Sequence, residues 1–440
     1  MCARPFRPKG PLDINTHTTC VNRFERVFIS LANCIDISFG VGLKFAAVDA
    51  AFSKHSVYRD GFLHLLTTRD DNNKLLILAV AICETESAST YEWFAANCKA
   101  AGIGRYLNKD AVIFSDRQKG IEAFHDAFRA FVGRCFMHIV RNCRAHIRGS
   151  GETFEDEVAW LLQKAKTEAE YNVHLTTLRA QSPMAAEYFD NIAHPEQVFQ
   201  YLFNQRNVPT HGHKTSNIVE STNGVFVTAR HYTPYRMLNK IIGWQGKEFY
   251  SRQVQLKHWI DKGHFLTQYA HNLFCIQVEI AKRTSYSVTP AGANTFYVRN
   301  TDRPEATQYE VNLDKPACCD YWGEHLQPCR HLVCVFAKLS MLGPSVRRAR
   351  QTMESYWPKW AHAEKVQELY ANRGIRQPGV YSGKFRGPDT ERIEPPLQSA
   401  VRRGRPRKER FRYKPKTVDD VKARLPVIHN PDYADLVLHC

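Results

Sequence analysis

The sequence predicts a mixed α/β domain with a helical insertion, followed by a small hairpin-helix module and a basic tail. Three observations predict it. Apolar runs at residues 43–52, 61–67 and 75–83 follow one another closely and read as strands, with Asp70-Asp71-Asn72-Asn73 as a hairpin turn between the last two. Two strand-helix repeats come next, the first strand being the apolar stretch 111–115 with Asp116 at its tip. From 153 to about 191 the apolar spacing turns helical and no strand is evident.

In chain order, residues 1–19 are polar and rich in Pro and Arg, which predicts poor order. Residues 27–48 lean apolar, but Asn33, Asp36 and Lys44 interrupt them, so no membrane span is expected. After the three-strand meander a helix runs over 89–101, with Tyr91, Phe94 and Cys98 on one face and Gly102 closing it. The Asp116 strand is followed by a helix over 120–131 and a fifth strand around 134–139. A meander followed by two strand-helix repeats is the element order of a ribonuclease-H-like mixed sheet. The all-helical insertion, about 150–205, holds Trp160, Leu161 and Leu162 in one helix and Tyr171, Leu175 and Leu178 in the next; Pro183 opens a third. Helices dominate again from 233 to 280. Short strands at 296–299 and 308–311 form a hairpin leading into a cysteine cluster, and Gly, Pro and Arg take over beyond 373. The predicted domains are therefore an N-terminal segment (1–39), a catalytic domain (40–232), a helical region (233–290), a zinc-finger module (291–342), a helical segment (343–375) and a disordered basic tail (376–440).

A formal net charge of +16 over 440 residues favours a polyanionic partner. No apolar core segment of a secretory signal stands in the first twenty residues. Thirteen cysteines in that context point to reduced thiols and metal ligation rather than a disulfide framework.

The residues that carry chemistry begin with Asp116. A carboxylate at the C-terminal end of a buried strand sits where open α/β sheets place their reactive groups. Asp49 ends an upstream apolar run, and Glu220 lies where the chain returns from the helical insertion. Three carboxylates brought together repel one another, and divalent metal compensates them. The expectation is a two-metal phosphoryl-transfer site built from Asp49, Asp116 and Glu220, holding Mg²⁺ or Mn²⁺. Cys135 and His138 have ligand-like spacing, but on a predicted core strand they read equally well as buried structural residues. In the tail, Arg403-Gly404-Arg405-Pro406-Arg407-Lys408 contains the Arg-Gly-Arg-Pro core of an AT-hook. Glycine lets the backbone approach the minor-groove floor, proline keeps it extended, and arginine seeks the negative potential of narrow A·T grooves. A nuclear localisation signal is the other reading of that charge run. Lys240, Lys247, Arg252 and Lys257, between 235 and 259, could face DNA phosphates, but a solvated helix face is the better account of them.

Together these residues resemble the Mutator-like (MULE) transposases of the DDE superfamily. The matching stretches are Val48-Asp49-Ala50-Ala51-Phe52, Glu84-Thr85-Glu86-Ser87 with Tyr91 and Trp93, and Phe114-Ser115-Asp116-Arg117-Gln118-Lys119-Gly120. Cys135 and His138 with Asn142, and Thr215-Ser216-Asn217-Ile218-Val219-Glu220-Ser221 with Asn223, complete the set. The family usually follows its first Asp with a small residue and Thr, where Ala50 and Ala51 stand here. The resemblance implies a DDE triad of Asp49, Asp116 and Glu220 that cuts and joins transposon ends in double-stranded DNA, in the nucleus, with a homo-oligomer among the possible assemblies and no membrane. It also implies a SWIM zinc finger, of the form Cys-x-Cys, spacer, Cys-x-His. The candidate zinc ligands are Cys318, Cys319, Cys329 and His331, with Ala317 where the first cysteine usually stands and His325 and Cys334 as stand-ins. No stretch matches the N-terminal zinc-binding DNA-recognition module common in the family. The alternative is a domesticated, non-cutting DNA-binding regulator that keeps the fold.

Overall fold

The computed structural model describes residues 12–18, 24–55, 61–118, 120–302, 307–315, 318–341, 353–371, 373–375 and 419. These divide into two compact units, one reaching Val254 and including the stretch from Leu369, the other running from Gln255 to Glu368.

The first unit is built on a seven-stranded mixed sheet. Strands β1 (Leu12–Thr18) and β2 (Phe24–Leu31) precede helix α1 (Ala32–Gly40). Then come β3 (Phe45–Phe52), β4 (Phe62–Arg69) and β5 (Leu75–Cys83), helix α2 (Ala88–Ala100) and β6 (Val112–Ser115). The short α3 (Glu122–His125), β7 (Phe131–Arg134) and α4 (Phe136–His146) complete the core. The sheet order is β1-β2-β5-β4-β3-β6-β7. Neighbours are antiparallel as far as β3; β3 with β6 and β6 with β7 are parallel.

Local chemistry accounts for the framework. From Leu76 to Ile82, β5 is an unbroken run of fully buried aliphatic residues, which is how a strand covered on both faces reads. The predicted β4–β5 hairpin forms. Asp70 takes the N–H groups of Asn72 (3.0 Å) and Lys74 (2.8 Å), and Asn73 adopts a left-handed φ of 59°. Asp71 reaches instead to the N–H groups of Gly42 and Leu43, fixing the entry to β3. Ser87 caps α2 by accepting from the Thr90 N–H.

The helical insertion is present as α5 (Asp156–Lys164), α6 (Glu168–Gln181), α7 (Pro183–Asp190) and α8 (Gln200–Gln205). Pro183 stands in the first turn of α7, as its sequence position predicts. The chain re-enters the sheet layer as α9 (Asn217–Val225) and continues into the long α10 (Pro234–Asp261).

Four sequence expectations are corrected here. The strand around 134–139 is instead β7 at Phe131–Arg134, and the residues after it form α4. Phe136, Ile139, Val140 and Cys143 are buried at the i, i+3, i+4, i+7 spacing of a helix, which a short apolar run conceals. The helix over 120–131 shrinks to α3 accordingly. Residues 12–18, expected to be poorly ordered, pair with β2. Arg252 belongs to no solvated face: it is 3% exposed, and its guanidinium meets the Tyr370 hydroxyl at 2.9 Å and the Leu75 carbonyl at 2.5 Å.

In the second unit, α11 (Gln268–Lys282) leads into a three-stranded antiparallel sheet of β8 (Tyr286–Pro290), β9 (Thr295–Asn300) and β10 (Gln308–Asn312), in the order β10-β9-β8. The hairpin foreseen from the sequence is β9–β10; β8 was not foreseen. Helices α12 (Asp320–His325), α13 (Arg330–Met341) and α14 (Ala363–Tyr370) follow, the last ending in the first unit.

Candidate active site and metal centres

The parallel register of β3 and β6 pairs Phe45 with Val112, Ala46 with Ile113 and Ala47 with Phe114. Two residues further along both chains stand Asp49 and Asp116, so the register aligns two carboxylates at the end of the β3–β6 pairing. Asp116, one residue past β6, accepts the Gln118 N–H at 3.0 Å, and this turn holds its carboxylate. Asp49 accepts from the Asn223 side-chain amide of α9 at 3.0 Å. Glu220 lies three residues before Asn223 on the same helix, hence on the same face. Asp49 thus stands near enough to Asp116 and Glu220 for both charges to act on it.

Electrostatics give that gathering its meaning. Burial first, then the charges of Asp116 and Glu220 and, more weakly, Glu86, push the Asp49 carboxyl well above the usual carboxylate range. Carboxylates that oppose one another's ionisation are a hard-cation donor set: a divalent ion turns the repulsion into attraction. The donor chemistry of Asp49, Asp116 and Glu220, carboxylate oxygens throughout, suits such an ion, although the three are not among the groups whose ligand atoms all lie within 4.8 Å of one another.

Glu86 was not singled out as a site residue. It lies in the turn before α2, where the Tyr91 hydroxyl donates to its carboxylate at 2.9 Å. Burial raises its carboxyl to about 7; the Tyr91 hydrogen bond lowers it and the Asp116 charge adds to the rise. The loop after Asp116 packs on this turn. Gly120 has φ +103°, and a Cβ there would stand 2.7 Å from the Ala88 nitrogen. The signal was in the matched Glu84-Thr85-Glu86-Ser87 stretch, but nothing local distinguishes Glu86 from a surface acid.

Cys135 and His138 are on no core strand. Cys135 stands at the N-terminus of α4 without its side chain capping the helix, and His138 is in the first turn. Both face Glu220, with Cys135 Sγ 3.8 Å and His138 Nδ1 3.6 Å from its Oε1. The three ligand atoms lie within 4.8 Å of one another. Ser216 Oγ also donates to Oε1, at 3.4 Å. A groove of about 410 Å³ lined by Arg117, His146, Glu187, Tyr188 and Asn191 opens beside the Asp116 loop.

In the second unit, the ligand atoms of Cys318, Cys319, Cys329 and His331 also lie within 4.8 Å of one another. Cys319 immediately precedes α12, Cys329 immediately precedes α13, and His331 is in the first turn of α13. Hydrogen bonds from Cys318 and Cys329 drive the Cys319 thiol down. Burial lowers His331, keeping the imidazole neutral and able to ligate. Tyr309 stacks on its ring at 4.1 Å. These four residues make a metal site possible; His325 and Cys334 are not part of the cluster. The AT-hook candidate, Arg403 to Lys408, lies outside the described residues.

Residues 66–230 match the family model described as Transposase, Mutator family. The chain carries a Mutator-family transposase domain. The match takes in Glu86, Asp116, Cys135, His138 and Glu220, while Asp49 lies ahead of it and joins the site through the β3–β6 register. Such a domain implies DNA as the partner and use of divalent metal. Comparison with curated proteins finds no match. No helix among the described residues is long and apolar enough to cross a membrane.

Proposed function

We propose that this Mutator-family domain cuts and joins DNA at transposon ends with Asp49, Asp116 and Glu220 as a DDE triad. One observation carries the reading: the parallel register sets Asp49 against Asp116, and the Asn223–Asp49 hydrogen bond turns the Glu220 face of α9 toward both. The strand order β5-β4-β3-β6-β7, a meander joined to two parallel strands, supports a ribonuclease-H-like core.

The chain's own residues do the positioning. The turn at Gln118 holds Asp116, Asn223 holds Asp49, and Ser216 orients Glu220. Two divalent ions held by the three carboxylates would activate the attacking water or DNA 3′-hydroxyl and stabilise the leaving oxygen. The net charge of +16 supplies the long-range attraction for phosphate, and it makes binding salt-dependent. The Cys318, Cys319, Cys329 and His331 cluster is read as a SWIM-type zinc finger, the tail as an A·T-groove binding element, and the nucleus as the site of action.

The test is nicking of supercoiled plasmid by the purified chain in Mg²⁺ or Mn²⁺, beside Asp116→Asn and Glu220→Gln. Metal-dependent nicking that falls by three or more orders of magnitude in both variants is expected for groups acting directly on the reacting phosphate (about 4 kcal/mol or more). Salt-sensitive DNA binding without nicking by the wild type would leave the non-cutting regulator instead.

A further inference from the structure

We infer that Cys135, His138 and Glu220 form a second kind of metal site, for a thiophilic divalent cation such as zinc, sharing Glu220 with the carboxylate pair. The geometry is close to what such an ion asks. Ligands held at about 2.0–2.3 Å around a tetrahedral zinc stand roughly 3.4–3.6 Å apart. The observed Nδ1 to Oε1 and Sγ to Oε1 separations are 3.6 and 3.8 Å, and all three ligand atoms fall within 4.8 Å. The donor set is wrong for magnesium, which takes oxygen, and right for zinc, which takes sulfur, imidazole and carboxylate together. Three protein ligands leave a fourth position open.

The local fold is built for this presentation. Cys135 is 1% exposed, and its amide N–H is spent on the Ser115 carbonyl at 2.7 Å, which ties the start of α4 to the end of β6. One helical turn then carries His138 to the same side, and α9 brings Glu220 across from outside the sheet. The three residues come from two segments, the start of α4 and the first turn of α9.

Sharing has a consequence. An ion at the Cys135 site draws Glu220 away from Asp49 and Asp116, so zinc would oppose the magnesium-dependent reaction. That consequence rests on the DDE reading; the binding of the ion does not.

The experiment is a cobalt titration of the full metal-free chain, following the thiolate-to-cobalt charge-transfer absorption, in wild type, Cys135→Ser, His138→Ala and Cys319→Ser. The wild type is expected to bind one thiolate-ligated cobalt more than Cys135→Ser. Cys319→Ser takes one thiolate from the second-unit cluster and is expected to leave the single-thiolate signal of Cys135 unchanged. His138→Ala, at a position 28% exposed, is expected to keep the wild-type circular dichroism and bind that ion on the order of 10- to 100-fold more weakly. Should Cys135→Ser fail to fold, His138→Ala decides alone. Equal cobalt stoichiometry and affinity in wild type and His138→Ala would overturn the site. Nicking is not the readout, so a chain that never cuts DNA can still bind the ion, and a cutting chain can still fail to bind it.

Discussion

At the scale of single residues, burial determines which groups respond to pH. His64 on β4 is fully buried, with the Tyr91 ring 5.1 Å and the Phe94 ring 6.0 Å from its own. Burial lowers its pKa to about 4, so the folded protein holds it neutral where the unfolded chain, near 6.5, would protonate it. The sign follows from proton counting. Between about pH 4 and 6.5 the unfolded state binds more protons, so stability is complete above 6.5 and declines as the pH falls through that window. Wild type is expected to lose about 2–3 kcal/mol more than His64→Leu between pH 7 and 4.5, measured by urea unfolding at each pH. Parallel losses in the two proteins would remove His64 as the cause. Gly120 shows a different kind of constraint. Its φ of +103° and the 2.7 Å gap to the Ala88 nitrogen leave no room for a methyl group. Gly120→Ala is expected to cost about 1–3 kcal/mol of stability and to displace the Asp116 loop, with nicking lowered at least tenfold. Wild-type nicking and unfolding midpoints in Gly120→Ala would show that the loop is free to move.

At the scale of elements, α9 is the piece that completes the site. Its packing is set by Ile218, Val219 and Thr222 on the buried side, and the Asn223–Asp49 hydrogen bond fixes its rotation. A hydrogen bond to a charged partner contributes about 1.5–3 kcal/mol. Asn223→Ala should therefore fold, with unfolding shifted by that amount or less, while nicking falls about 10- to 100-fold because Glu220 is no longer held toward Asp49. Unchanged nicking in a folded Asn223→Ala would show that α9 needs no such tie. What the sequence discloses about these elements depends on period and length. β3, β4 and β5 are long apolar runs with a turn of Asp and Asn between the last two, and they stand where the pattern puts them. The two aspartates are legible because each follows such a run. β7 and α4 are not, because four strand residues merge into a helix whose apolar positions begin at once with Phe136. β1 and β2 escape because residues 12–31 mix Asp, Asn, Arg and Glu with their apolar residues, and it is pairing of β1 with β2 and of β2 with β5 that makes strands of them. Glu86, and the approach of Cys135 and His138 to Glu220, are tertiary facts. They depend on where α2, α4 and α9 meet the sheet, and no local spacing encodes that.

At the scale of the whole molecule, the chain carries two classes of candidate metal site, and they should be separable. The carboxylates of the first unit are oxygen donors on a sheet with its own large core, so a cation there adjusts stability without creating it. The second unit is different. Its core gathers Leu266, Phe274, Val298, Val311, Val333 and Trp357 around Cys329 and Cys334, and Cys318 and Cys319 pack against it. The four-ligand cluster joins the segment after β10 to the start of α13, so an ion there would close the unit's core. Structural zinc contributes on the order of 10 kcal/mol to small domains, enough to decide whether such a core exists at all. Stripping the chain with a zinc-selective chelator is expected to abolish the cooperative melting of residues Gln255 to Glu368 and open them to proteolysis, while the seven-stranded unit keeps its cooperative transition, its midpoint lowered only by loss of the ion at Cys135, His138 and Glu220. Added zinc should restore the transition and added magnesium should not, because thiolate and imidazole donors discriminate against magnesium. A second unit that melts identically with and without zinc would mean that its apolar core suffices and that the thiols serve another purpose.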